Sequence, residues 1–155
     1  MSIQNRLKIF LCHASEDKNK VYELYERLTN EGHELWLDRV SLLPGQEWQQ
    51  EIEKAVQSSD VVVVCLTKNS INKDGFIQKE ISFALDTAEK KPEGVIYIIP
   101  VRLENCEIPY RLKQWQYVDF YESGGYKKIL NSLSERTKNI TRLDQKTVLN
   151  KFNEK

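Results

Sequence analysis

The chain has 155 residues, 40% apolar and 30% charged, and its 23 acidic and 23 basic side chains cancel. That length suits one globular domain burying about two-thirds of its unfolded surface, and the balance excludes a bulk field that recruits nucleic acid or anionic membrane. No apolar run reaches the ~20 residues of a membrane span, MSIQNRLKIF has no signal-peptide core, and three scattered cysteines read as reduced thiols of a cytoplasmic protein.

Ile9–Phe10–Leu11 is a short apolar strand ending in Cys12, His13, Ala14 and Ser15. Ser15, Glu16 and Asp17 then open a helix, Ser15 as its N-cap and the two acids complementing the dipole. Val21, Leu24, Tyr25 and Leu28 give it a buried stripe, and Gly32 stops it. Leu35–Trp36–Leu37 is a second strand closed by Asp38. The loop Arg39–Gly45 leads to a helix with Trp48, Ile52, Ala55 and Val56 on one face. Val61–Leu66 is β-branched and apolar on both faces, as a central parallel strand requires. After Thr67–Asp74 comes a helix within Asp74–Leu85, then a buried strand at Val95–Val101 and a short fifth strand at Tyr117–Phe120. Gly124–Gly125 precedes a helix with Tyr126, Ile129, Leu130 and Leu133 on its sheet-facing side. From about Lys138 onward the chain is rich in Lys, Arg, Asn, Asp and Thr, and 136–155 read as a charged C-terminal helix or linker. In that tail Val148, Leu149 and Phe152 suit a final helical turn, a docking face or the start of a linker.

Strands alternating with helices predict an α/β, flavodoxin-like three-layer sandwich with a five-stranded parallel sheet. Ligands of such sheets sit outside the carboxyl ends of the strands, at the switch point beside the first one. This selects the loops His13–Ser15, Asp38–Gly45 and Thr67–Asp74. The helix after the last of these carries Glu80. At about 100° per residue, Glu80 falls inside an apolar arc of Phe76, Ile77, Ile81, Phe83, Ala84, Leu85 and Ala88. A carboxylate there is poorly solvated or faces a cleft, and burying it alone is costly. Two readings stand: a functional carboxylate, or an ion-paired, snorkelling or dipole-complementing helix residue.

Several chemistries lack their residues. No phosphate-cradling glycine pattern is present. Two histidines, His13 and His33, and no CxxC pair make a metal site unexpected. Cys12 and His13 are adjacent on a strand and point to opposite faces. Cys12 therefore reads as a packed thiol, with a Cys–His nucleophile as the alternative. A phosphoacceptor receiver needs acids after the first and third strands. Here those ends read Cys12–His13–Ala14 and Leu66–Thr67–Lys68, so that mechanism has no ligands.

Taken in order, Ile9–Asp17, Leu35–Asp38, Leu43–Pro44–Gly45 with Trp48, Val61–Leu66 and Phe76–Glu80 resemble a Toll/interleukin-1 receptor (TIR) domain of the bacterial type, over roughly residues 6 to 135. The resemblance implies the flavodoxin-like fold. It also implies one of two functions: NAD+ cleavage at the nicotinamide–ribose bond, or non-catalytic signalling by homotypic association. In the enzymes a catalytic glutamate follows an aromatic, usually Trp, by four residues. Glu80 matches the glutamate and Phe76 the aromatic, a departure that keeps the stacking surface and loses the indole N–H. His13, Ala14 and Ser15 would line the substrate site, with Trp36 and Asp38 nearby. Core packing for Trp36 and Trp48, and a turn-forming role for Asp38, stand beside that reading. Leu42, Leu43, Pro44 and Gly45 fall in the loop that mediates assembly and gates the pocket. The resemblance thus implies an NAD+ nucleosidase activated by self-assembly in bacterial antiphage defence, giving linear or cyclic ADP-ribose. NAD+ would be its substrate and no cofactor is implied. Its partners would be further copies and a sensor domain or protein, with neither nucleic acid nor membrane. A nucleoside deoxyribosyltransferase-like enzyme, also glutamate-dependent, is a further alternative.

Overall fold

Side-chain alternation along five parallel strands divides the core in two. The computed structural model describes residues 6–37, 43–71, 77–92 and 97–153. Its strands are β1 (Lys8–Cys12), β2 (Glu34–Trp36), β3 (Val61–Leu66), β4 (Tyr97–Arg102) and β5 (Val118–Asp119), in the order β2-β1-β3-β4-β5. This is the flavodoxin-like order, with the switch point between β1 and β3. β3 is central: Ile9 to Cys12 pair with Val61 to Val64 on one side, and Tyr97 to Arg102 with Val61 to Leu66 on the other. All six β3 residues are buried.

The helices are α1 (Lys18–Asn30), α2 (Trp48–Ser58), α3 (Lys79–Glu89) and α4 (Gly125–Asn153). Ile9, Leu11, Val61, Val63, Ile99 and Val101 meet Val21, Leu24 and Leu28 of α1 and Ile129 and Leu133 of α4. The alternate residues Phe10, Cys12, Val62, Val64, Leu66 and Ile98 meet Ile52 and Val56 of α2 and Ile81, Ala84 and Leu85 of α3. The predicted three-layer arrangement is therefore the observed one.

Some boundaries differ from expectation. Ser15 does not cap a helix. Residues Ser15–Asp17 form a 3-10 turn, and α1 starts after Asp17 with no side-chain cap. α3 starts at Lys79, because Ile77 is held extended in an antiparallel bridge to Ile71 and Gln78 is extended as well. Ile77 therefore lies outside the helix, and Glu80 is in its first turn. The expected strand residues Val95 and Ile96 lie outside the described residues.

The tail continues α4 as one helix through residue 153, with Val148 and Leu149 68% and 58% exposed. The side chain of Phe152 lies outside the described residues. The start of α4 requires glycine twice. Gly124 has φ +83°, and a Cβ on Gly125 would stand 2.0 Å from the Asp119 carbonyl oxygen.

Candidate active site

The carboxyl ends of β1 and β2 bring together residues far apart in sequence. Phe10, Leu11, Cys12, His13, Ser15, Trp36, Leu37, Ile52 and Glu80 line a cavity of about 190 Å³. One wall is aromatic: Phe10 and Trp36, paired in register, stack at 4.9 Å with an interplanar angle of 11°. In the same core cluster, Trp48 of α2 tilts against Phe83 of α3 at 6.1 Å. Glu80, partly buried, enters from the first turn of α3, where the helix dipole favours an anion.

His13 is only 6% exposed. Its Nδ1 is 2.8 Å from the Ala14 carbonyl oxygen, an acceptor, so Nδ1 carries the proton and donates. In the neutral ring Nε2 is then a lone-pair nitrogen, and it is buried with no hydrogen-bond partner among the described residues. Cys12 also touches the cavity, but burial, helped by Cys65 and Glu80, pushes its thiol well above the ordinary range. Burial and Asp17 push the Cys65 thiol up as well. A thiol raised this way is a poor nucleophile, which leaves Cys12 a packed side chain.

Thus His13, Ser15, Trp36 and Glu80 share one cavity. Ala14 stands behind it, fully buried, and contributes its carbonyl. Leu43 is 69% exposed, and Pro44 and Gly45 are exposed too; none of these lines the cavity. Asp38, Leu42 and Phe76 lie outside the described residues. Among the described residues no three His, Cys, Asp or Glu side chains are grouped to hold a metal ion. No described helix is long and apolar enough to cross a membrane.

Sequence reasoning missed Asp17. In the sequence it reads as an acid complementing a helix dipole, yet it is 0% exposed. It accepts a short hydrogen bond from the Thr67 hydroxyl and one of 2.9 Å from Asn69 Nδ2. Its position straight after the switch-point loop was the available signal. A second polar lock fixes the far edge of the sheet. Arg102 donates to both Asp119 oxygens at 2.5 and 2.8 Å and lies 4.7 Å from the Tyr117 ring centre. That guanidinium holds the Asp119 carboxyl below the usual carboxylate range.

The pattern of the TIR domain family matches residues 9–133. The chain is 35% identical over 94 residues to the NAD(+) hydrolase TcpA of a Theionarchaea archaeon, covering 60% of this chain and 27% of that protein. It is 38% identical over 74 residues to the NAD(+) hydrolase PdTIR of Paracoccus denitrificans, covering 47% and 24%. It is 30% identical over 66 residues to the 2' cyclic ADP-D-ribose synthase BtTIR of Bacteroides thetaiotaomicron, covering 42% and 23%. The chain spans 18% to 27% of the length of the curated relatives it matches. Among solved structures, the TIR domain of the Toll-related receptor TRR-2 from Hydra magnipapillata superposes with a TM-score of 0.67 at 19% identity, covering 81% of this chain and 97% of that one. With the five-stranded order and a family match over most of its length, this chain belongs to the TIR domain family.

Proposed function

We propose that this TIR domain cleaves NAD+ at the nicotinamide–ribose bond, with Glu80 as the catalytic carboxylate. The observation that carries this reading is a carboxylate at the edge of a small apolar cavity with a stacked aromatic wall. Relatives named NAD(+) hydrolases support it. The pyridinium leaves as neutral nicotinamide, so no general acid is needed. The barrier lies in positive charge growing on the ribose, as in glycoside cleavage. A carboxylate in a dry pocket stabilises that charge and accepts ribose hydroxyls. Phe10 and Trp36 offer a surface for a planar ring, and His13 Nε2 suits the N–H of a carboxamide. Water as acceptor gives ADP-ribose; an adenine or ribose atom gives a cyclic product, the activity for which BtTIR is named.

Activity would depend on self-association through the loop bearing Leu43, as in antiphage signalling, with NAD+ as a substrate and no resident cofactor. Incubating concentrated protein with NAD+ and separating the products by chromatography tests the reading. Nicotinamide should be released, and Glu80→Gln should slow its release by about 10²–10³-fold while the fold persists. Equal turnover by a folded Glu80→Gln protein removes the assignment. Absence of turnover at every concentration favours a non-catalytic signalling domain.

A further inference from the structure

We propose that Asp17 is a positioning residue that sets Glu80 against the opposite wall of the cavity; this rests on the catalytic reading of Glu80. Asp17 stands between the two segments that form those walls. Its backbone N–H donates to the Ala14 carbonyl at 2.9 Å, the same oxygen that accepts the hydrogen bond of His13 Nδ1–H. Both residues flanking Ala14, His13 and Ser15, line the cavity. Its carboxylate grips the other segment through the Thr67 hydroxyl and Asn69 Nδ2.

From there the chain of contacts runs to Glu80. Thr67 and Ser70 cap each other around the turn Lys68–Ser70. The Asn69 carbonyl accepts from Gln78 Nε2, and the Ser70 carbonyl from the Gln78 backbone, each at 2.9 Å. The Ile71–Ile77 bridge closes the same unit. The Gln78 carbonyl then accepts the Ser82 N–H at 2.9 Å, an opening hydrogen bond of the helix that carries Glu80.

A surface acid complementing a dipole needs none of this. A carboxylate with no exposure, bonded to two side chains of a loop on the neighbouring strand, is costly to bury unless both bonds are kept. Its removal therefore shifts the turn and, through Gln78, the start of α3. Small displacements of a positioned group lower the rate more than they weaken substrate binding.

Two variants separate positioning from folding. Asp17→Ala removes both acceptors. In Asp17→Asn an oxygen still accepts from the Thr67 hydroxyl, and the Asn69 amide turns over to accept from the new N–H₂, so the bridge persists. For the full chain, Asp17→Ala should lower kcat for NAD+ cleavage about tenfold or more. KM should change less than about twofold, and Asp17→Asn should keep most of the rate. Amide hydrogen exchange at Gln78 and Ser82 should speed up in Asp17→Ala and stay near that of the wild type in Asp17→Asn. Wild-type kcat in folded Asp17→Ala, or Asp17→Asn no better than Asp17→Ala, overturns the proposal. If Asp17→Ala does not fold, Asn69→Ala, at an exposed position, makes the same test: an unchanged kcat there also overturns it. If the wild-type chain cleaves no NAD+ at all, the catalytic reading fails. Amide exchange then still decides whether Asp17 holds the start of α3.

Discussion

The two faces of the sheet share the same five strands but are filled differently. Under α1 and α4 the strands meet Leu24, Leu28, Ile129 and Leu133, long aliphatic side chains that interdigitate. Under α2 and α3 they also meet aliphatic side chains, Ile52, Val56, Ile81 and Leu85, but the small Ala55, Ala84 and Ala88 stand among these and the indoles of Trp36 and Trp48 pack alongside. The cavity beside Glu80 opens on this second face. Because strand side chains alternate, one strand can hold the fold together on one side and shape a site on the other. Substitutions on the two faces should therefore separate stability from activity.

The largest effect is expected on the second face. Glu80→Gln should lower NAD+ cleavage by about 10²–10³-fold, or about 2.7–4 kcal/mol of barrier. Its thermal unfolding midpoint should stay close to that of the wild type; a large drop would mean that Glu80 holds the fold. On the first face, Leu24→Ala should cost about 3 kcal/mol of stability in urea unfolding. Its kcat per folded molecule should be unchanged, and a loss of rate there would blur the distinction between the faces.

At the sheet edge, Asp119→Asn should cost about 2 kcal/mol by leaving Arg102 without its carboxylate. Asp119 is held below the ordinary carboxylate range, so its contribution is present above pH about 4 and fades as pH falls further. The gap between variant and wild type should therefore narrow on acidification. His33 gives the smallest effect. Its Nδ1 accepts the Leu7 N–H at 3.1 Å, and burial lowers its pKa from the usual value, despite the nearby Glu31. As pH falls below about 6.5 the unfolded chain takes the proton first, so this stabilisation is lost as pH drops through the folded value. The loss is small, and His33→Gln should flatten it in unfolding curves between pH 7 and pH 5.

Strand identity was legible wherever burial on both faces left an unbroken apolar run, as in Val61–Leu66. The spacing of Val21, Leu24 and Leu28 likewise marked α1. The start of α3 was not legible. Phe76 and Ile77 continue its helical apolar arc, but the bridge from Ile71, a contact across the loop, holds Ile77 extended. Glu80 stood out because a carboxylate among apolar residues breaks a pattern. Asp17 broke none: beside Ser15 and Glu16 it reads as a helix opening, and its partners Thr67 and Asn69 arrive only when β1 and β3 pair. Local pattern reveals a misplaced charge more readily than one satisfied across the fold.

The buried β3 strand has a further consequence, for the unfolded chain. VVVVCL is six residues of high β-propensity with no charge, proline or glycine, the composition of a self-associating segment. In the folded protein β1 and β4 occupy both its edges, but both lie far away in sequence. Asp60 before it and Lys68 beyond Thr67 are the nearest charges to resist stacking. A net charge of zero adds no long-range repulsion between chains. Recovery from denaturant is thus a race between two docking events and aggregation, which dilution favours the chain to win.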